Sequence, residues 1–203
     1  VEAGSAAERA VCLQGLAAFL ERHSATCTPG ARHEAAYTIS TFLLPAMLSS
    51  VLGLCRGDRP LDPEAPHVVV TCCSTTRILL LLMVCTTSAR ASNLLLGVAI
   101  PVLVHLMQVS ETWVPDLPEL QQVLRTSAKA LTNLSTNYTA GLRELVTALP
   151  PDAIQGLRGA LQRANQLATV KSAAEVQPAA SKAATTSKAP LKLGINFGAF
   201  KKK

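Results

Sequence analysis

Aliphatic residues recur at every third or fourth position in the second half of the chain, and this spacing constrains the fold most. Steps of three or four residues return to the same face of an α-helix, so the run has one apolar side that needs a partner. The run predicts an amphipathic helix. We expect Asp116 to cap this helix, and Pro118 and Glu119 to stand in its first turn. Its apolar positions are Leu117, Leu120, Leu124, Ala128, Leu131 and Leu134.

Two further helices with the same spacing complete this half of the chain. Pro150-Pro-Asp152 separates them, because a proline pair cannot continue a helix but can begin one. Hydrophobic residues make up 49% of the chain and aromatic residues only 3%, so aliphatic helix formers must build the core. We therefore expect an all-α fold. The apolar positions are Leu142, Leu145, Val146 and Leu149 in the first helix, and Ile154, Leu157, Leu161, Ala164 and Leu167 in the last.

The first half of the chain predicts two more helices. The first opens with a capping box, Ser5-Ala-Ala-Glu8, and the second, over about 32–54, contains Pro45 and should kink there. The three prolines and alternating charges of 56–66 indicate a surface loop. The expected apolar faces are Val11, Leu16, Phe19 and Leu20 in the first helix, and Tyr37, Phe42, Leu44, Met47, Leu48 and Val51 in the second.

The middle of the chain is open to two interpretations. Residues 67–88 could form buried strands or one buried helix, and about 20 residues without Gly or Pro favour the helix. Residues 91–109 predict another helix, with Pro101 inside it. The pattern of Phe42–Leu48 matches that of Val98–Val104, 56 residues further on. A proline inside the first helix of a repeated pair is typical of HEAT repeats. The loop at 56–66 accounts for a separation longer than the ~40–47 residues of that class.

These features predict a HEAT/armadillo-like α-solenoid of stacked helix pairs over residues 1–170, followed by a disordered basic tail over 171–203. The body is neutral, with 12 Lys/Arg and 12 Asp/Glu, whereas the tail has 7 Lys and 1 Glu. A neutral body argues against nucleic-acid binding. The chain begins at Val1 rather than Met, so we expect a processed protein or, preferably, a C-terminal fragment.

The end of the tail is the candidate site for binding a partner. Apolar residues alternate there with small or polar ones, which is a strand period. Two interpretations stand: a chance end with a solvated Lys201–Lys203 run, or a docking peptide that adds to a sheet edge or fills a groove. The candidate residues are Leu191, Leu193, Ile195, Phe197 and Phe200.

No catalytic motif or cofactor-binding motif is found, so we predict neither an enzyme nor a cofactor. His33-Glu34 lacks the second His of a zinc-protease motif, and no histidine has a neighbour at ligand spacing. His105 is expected at a core or boundary position. The six cysteines contain no C-x-x-C pair and are interpreted as buried, reduced thiols.

A membrane protein is the least favoured alternative. Residues 91–109 lack a formal charge over 19 residues, close to the length that a spanning helix needs. Ser92, Asn93, Pro101, His105 and Gln108 interrupt that stretch, and Ile78–Ala89 is only 12 residues long, too short to span. Buried helices of a solenoid are often equally hydrophobic, because neighbours cover them.

The C-terminal part of the chain resembles the end of the HEAT-repeat-containing protein 5 family. The resemblance covers about 117–203 and rests on three pieces: the helix Leu117–Asn133, the segment Leu142–Leu161, and the low-complexity tail that closes on Leu191–Phe197. It implies a large cytosolic α-solenoid without catalytic residues.

The function that this resemblance implies is vesicle-mediated trafficking. Members of the family are accessory to the clathrin adaptor protein complex 1 at the trans-Golgi network and endosomes. They act in retrograde endosome-to-Golgi transport, endocytosis and protein localisation. The resemblance therefore implies protein partners, peripheral membrane association through them, and no small-molecule substrate. The alternative functions are another helical-repeat scaffold, nuclear or cytoskeletal, and a fragment of an integral membrane protein.

Overall fold

The computed structural model describes residues 5–55 and 65–174, and all regular structure within these residues is helical. The expectation of an all-α fold is confirmed. The described helices are α1 (Ala6–Thr26), α2 (Pro29–Thr38), a π-helical turn (Ile39–Leu43), α3 (Leu44–Cys55), α4 (Ala65–Cys85), α5 (Ala89–Trp113), α6 (Leu120–Asn137), α7 (Thr139–Ala148) and α8 (Pro151–Ala174).

Helix α1 begins as the capping box predicts, but it buries a different face. The Ser5 hydroxyl accepts from the Glu8 amide at 3.2 Å, and the Ser5 amide donates to the Glu8 carboxylate at 2.7 Å. Of the expected apolar face, Leu20 is buried, whereas Val11 and Phe19 are exposed. Small alanines take their place, because α1 packs closely on α4. The buried residues are Ala10, Leu13, Ala17 and Leu20.

The second predicted helix is interrupted just before Pro45. The Leu44 amide donates to the Ile39 carbonyl, five residues back, so the turn Ile39–Leu43 contains one residue more than an α-turn. Leu44, Met47 and Val51 are buried as expected. The expectation is wrong for Tyr37 and Phe42, which are 65% and 72% exposed, because the extra residue rotates the preceding segment.

Residues 67–88 lie almost entirely in one helix, α4, which confirms the helical interpretation. The helix already begins at Ala65, two residues inside the predicted loop. Two helices, α4 and α5, are long and apolar enough to cross a membrane by length and composition. The expectation that Ile78–Ala89 is too short to span a membrane is wrong for α4, because the helix continues through Arg77. Most of the apolar stretch of α4 is buried among other helices, whereas only about a third of that of α5 is buried.

Helices α6, α7 and α8 agree closely with the sequence. All six periodic positions from Leu117 to Leu134 are buried. The predicted start is wrong: residues 116–119 form turns, Asp116 does not cap the helix, and α6 begins at Leu120. The last helix extends to Ala174, so residues 171–174 of the predicted tail are helical. The rest of the tail lies outside the described residues.

The most extensive helix contacts join α1 to α4, α5 to α6, α4 to α6, and α6 to α8. Helix α5 also packs on α3, α4, α7 and α8. We call α1–α3 the first group, α4 and α5 the second, and α6 and α7 the third. A large aliphatic core joins all of these groups, with Leu20, Leu82, Leu96 and Leu131 fully buried. A smaller core surrounds Leu120, beside Trp113.

Candidate functional site

The tail residues predicted to bind a partner lie outside the described residues. This applies to Leu191, Leu193, Ile195, Phe197 and Phe200. The predicted docking peptide therefore stays a prediction. The described residues contribute three other surface features: a groove, an apolar cleft and a thiol–imidazole pair.

The groove follows α4 where it lies between α1 and α6, and we call it the α4–α6 groove. Its cavity volume is about 450 Å³. Its wall along α4 runs from Val69 to Leu80, about 16 Å at 1.5 Å per residue, enough for about five residues of an extended chain. The amide groups in its lining can both donate and accept hydrogen bonds. These amides belong to Gln14, Gln122 and Asn133.

Two cations, Arg77 and Lys129, also line the groove. The Arg77 guanidinium pairs with the Glu21 carboxylate through two hydrogen bonds, with Nε to Oε1 at 2.5 Å. At the floor, the Cys73 thiol donates to the Thr126 hydroxyl at 3.7 Å. Burial raises the pKa of the Cys73 thiol, and the hydrogen bond with Thr126 lowers it by a smaller amount. The lining also exposes more apolar than polar surface, along Val69, Val70 and Leu80, so the groove can bind an extended segment with both polar and apolar side chains.

The apolar cleft lies between α1 and the start of α3. It has a volume of about 350 Å³ and is lined mainly by the side chains of Cys12, Leu16, Leu43 and Met47. Leu43 is 42% exposed at its edge, and the neighbouring Phe42 side chain is exposed. We call the cleft together with Phe42 the first-group apolar surface. Exposed apolar area of this kind marks a surface that binds another apolar surface.

The thiol–imidazole pair forms where α1 ends. The Cys27 sulfur lies 3.1 Å from Nδ1 of His23, one helical turn earlier. The expectation that no histidine has a neighbour at ligand spacing is wrong here. The signal was available, because His23 and Cys27 are four residues apart and share a helix face. His105 is half-buried on α5, as expected for a boundary position. The described residues contain no cluster of three or more metal-ligating side chains.

The cysteines divide into exposed and buried thiols. Cys72 and Cys85 are buried, Cys27 and Cys73 are half-buried, and Cys12 is exposed. The expectation of buried, reduced thiols is therefore wrong for Cys12, which points into the apolar cleft. Burial raises the pKa of the Cys85 thiol, and the nearby Arg32 charge lowers it by a smaller amount.

Comparison of the chain with protein-family models, curated proteins and solved structures finds no match. The resemblance to the HEAT-repeat-containing protein 5 family therefore stays a prediction from sequence. Function has to be argued from the packing of the helices and from the three surface features.

Proposed function

We propose that this chain is a non-enzymatic scaffold, a HEAT/armadillo-like α-solenoid that binds partner proteins in vesicle-mediated trafficking. The observation that carries the proposal is a near-constant separation in sequence between side chains that bond across helices. Such a separation is the mark of repeated units that stack side by side.

Four pairs of side chains show this separation. Glu21 bonds Arg77 at a separation of 56 residues, and Cys73 bonds Thr126 at 53. Asn93 donates to the Glu144 carboxylate at 2.6 Å and a separation of 51. Arg163 donates to the Glu111 carboxylate at 2.5 Å and a separation of 52. The two matching prolines, Pro45 and Pro101, are also 56 residues apart. The chain thus returns beside itself after 51–56 residues where α1 meets α4, where α4 meets α6, and where α5 meets α7 and α8.

The two ends of the described structure differ in a way that fits a stack. Most of the exposed large apolar side chains belong to the first group, and none of them lies in the described parts of α6–α8. The outward side of α8 carries Gln155, Arg158, Gln162 and Arg163 instead. A polar last helix suits the end of a solenoid, and an apolar first group suits contact with a further amphipathic helix.

The trafficking role rests on the sequence resemblance. It places the proposed scaffold in the cytoplasm, peripherally bound at trans-Golgi and endosomal vesicles, with clathrin adaptor complex 1 and its accessory proteins as partners. Binding without chemistry needs an extended surface, and the α4–α6 groove and the first-group apolar surface supply two distinct ones. A nuclear or cytoskeletal scaffold is the alternative, for which the basic tail would bind acidic polymers in a salt-sensitive manner.

A pull-down from cytosol tests this function. The baits are the full chain, a chain that stops after Ala174 so that α8 stays intact, and the full chain with Phe42→Ser and Leu43→Ser. The matched control carries Val84→Ser and Leu94→Ser, which remove exposed apolar side chains from elsewhere. Circular dichroism confirms that each bait is helical, and mass spectrometry identifies the bound proteins.

Each outcome of the pull-down has a defined meaning. Enrichment of clathrin-adaptor subunits supports the trafficking role. If the shortened chain no longer binds these subunits, the contact belongs to the tail. If the Phe42→Ser and Leu43→Ser bait loses them while the Val84→Ser and Leu94→Ser control keeps them, the contact belongs to the first-group apolar surface. A helical bait that enriches no coat or adaptor component contradicts the trafficking role. A bait that stays insoluble without detergent contradicts the soluble scaffold.

A further inference from the structure

The corner between α1 and α2 brings together a thiol, an imidazole and a guanidinium. Cys27 ends α1, and Thr28 caps α2 by accepting from the Ala31 amide at 3.4 Å. The Cys27 sulfur lies 3.1 Å from His23 Nδ1. The Arg32 side chain donates from Nε to the Cys27 carbonyl at 2.8 Å, which fixes the backbone that carries the thiol.

The second ring nitrogen determines which proton the imidazole carries. His23 Nε2 lies 3.4 Å from the Ala31 carbonyl, which can only accept a hydrogen bond. A neutral His23 therefore keeps its proton on Nε2 and presents the lone pair of Nδ1 to the thiol. The Thr26 hydroxyl donates to the Arg22 carbonyl at 2.9 Å, so its oxygen could also accept from the thiol, but at 3.9 Å it lies farther from the sulfur than Nδ1 does. The Cys27 S–H group thus donates to His23 Nδ1.

The Phe19 ring stacks on the His23 imidazole with centroids 5.5 Å apart, which holds the ring where its Nδ1 meets the Cys27 thiol.

We propose that Cys27 is a reactive thiol that hydrogen peroxide oxidises to a sulfenic acid, with His23 as its general base and acid. The Cys27 proton moves to His23 Nδ1, and the thiolate sulfur attacks one oxygen of the peroxide. A sulfur–oxygen bond forms as the oxygen–oxygen bond breaks, and the departing hydroxide takes the proton back from His23 as water. Sulfur loses two electrons and the peroxide gains them, so Cys-SH and H2O2 give Cys-SOH and H2O.

The other described thiols lack this arrangement. Cys72 and Cys85 are buried, and burial raises the pKa of Cys73. Cys12 is the useful comparison, because it is exposed, lies on the same helix and has no imidazole at hydrogen-bond distance. Exposure alone would make Cys12 the faster thiol, whereas the proton transfer to His23 makes Cys27 the faster one.

The test follows each cysteine separately in the full chain at neutral pH. The chain is treated with hydrogen peroxide, the sulfenic acid is trapped with dimedone, and peptide mass spectrometry gives a rate for each site. We expect Cys27 to react about a hundredfold faster than Cys12, at the lower end of the ~10²–10⁴-fold that a positioned base contributes. The variant His23→Gln should bring Cys27 down to about the rate of Cys12 and leave Cys12 unchanged. The exposed neighbour Arg22→Gln is the matched control.

A second measurement keeps the proposal testable if the His23→Gln variant does not fold. Concentrated urea separates His23 from Cys27 in the unchanged chain, so the difference between Cys27 and Cys12 should disappear there. The proposal is overturned if Cys27 reacts no faster than Cys12 in the folded chain. It is equally overturned if a folded His23→Gln variant keeps the fast rate at Cys27, or if the difference persists in urea.

Discussion

The two segments that carry matching prolines bury the same positions from the residue before the proline onward, but they differ one residue earlier. Leu44, Met47 and Val51 in the first group correspond to Ile100, Leu103 and Met107 in the second, and all six are buried. The correspondence fails two residues before the proline. Leu43 is exposed, whereas its counterpart Ala99 is fully buried.

The difference lies in the turn before the proline. In the first group the buried positions Ile39 and Leu44 are five residues apart, the same step as the hydrogen bond from the Leu44 amide to the Ile39 carbonyl. In α5 the buried positions keep steps of three and four through Pro101. One local pattern therefore has two backbone solutions, and the packing around each segment selects between them.

The largest expected effect tests which leucine of the first group faces the core. Leu44→Ala should lower the free energy of unfolding by about 2–5 kcal/mol, because it deletes a buried side chain and leaves a cavity. Leu43→Ala, one residue earlier, should cost about 1 kcal/mol or less, because Leu43 is largely exposed. Urea unfolding followed by circular dichroism measures both. A larger loss at Leu43 than at Leu44 would show a regular α-turn without the extra residue.

The next effect tests how closely α7 packs on α5, the continuous helix of the second group. Gly141 of α7 faces Asn93 and Leu96 of α5, and a Cβ there would lie 2.8 Å from a Leu96 methyl carbon. Gly141→Ala should therefore cost about 1–3 kcal/mol through overpacking. Gly159→Ala in α8 is the matched control, because open space surrounds that position.

The control substitution should stabilise the chain by up to about 1 kcal/mol, the usual preference of a helix for Ala over Gly. Thermal unfolding of both variants gives the comparison. A Gly141→Ala variant as stable as the Gly159→Ala variant would mean that α7 does not approach α5 this closely.

A smaller effect compares the two prolines directly. Pro101→Ala restores an amide donor inside a continuous α-helix, which stabilises the folded chain by about 3 kcal/mol. The same change makes the unfolded chain more flexible, which lowers the free energy of unfolding by about 1 kcal/mol. We expect a net gain of about 2 kcal/mol from urea unfolding. Pro45→Ala should gain less than half as much, because the wider π-turn already gives the ring room. Equal gains at both positions would mean that the π-turn does not relieve Pro45.

The smallest effect comes from the buried thiol of Cys85 at the end of α4. Burial raises the pKa of Cys85 above its ordinary value of 9.0, so the folded chain keeps this proton after the unfolded chain has released it. The contribution of the neutral Cys85 thiol to the free energy of unfolding is complete below about pH 9. It falls as the pH rises further, because ionisation of this thiol then favours the unfolded state. Unfolding free energies measured between pH 8 and about pH 10.5 test this.

Cys85→Ala should make that alkaline decline shallower than in the unchanged chain. Cys73 and Tyr138 contribute in the same direction, because burial raises the pKa of each side chain. The same slope in the variant and in the unchanged chain would mean that Cys85 does not ionise during alkaline unfolding.

The sequence predicts the third group and α8 well because their amphipathic spacing is regular. Each apolar position of α6 that the sequence indicates is buried, because α4, α5 and α8 all pack on that helix. The first group is harder to predict. Its apolar residues surround the helix, so periodicity alone does not choose between Leu43 and Leu44, and the extra residue before Pro45 has no local signal.

The surface features were predictable to different degrees. The His23–Cys27 spacing stands in the sequence, but its significance depends on the Ala31 carbonyl, which only the turn into α2 brings to the ring. The α4–α6 groove needs the register between helices more than 50 residues apart, as the separation of 53 between Cys73 and Thr126 shows. No local pattern carries that information.

Zero-length carbodiimide cross-linking tests the register between helices that lie 51–56 residues apart along the chain. The full chain would carry Arg77→Lys and Arg163→Lys, so that each new amine lies at the carboxylate its arginine now binds. We predict isopeptide links to Glu21 and Glu111, at separations of 56 and 52 residues. A helical chain in which neither link forms, while these amines link to carboxylates elsewhere, would contradict this register.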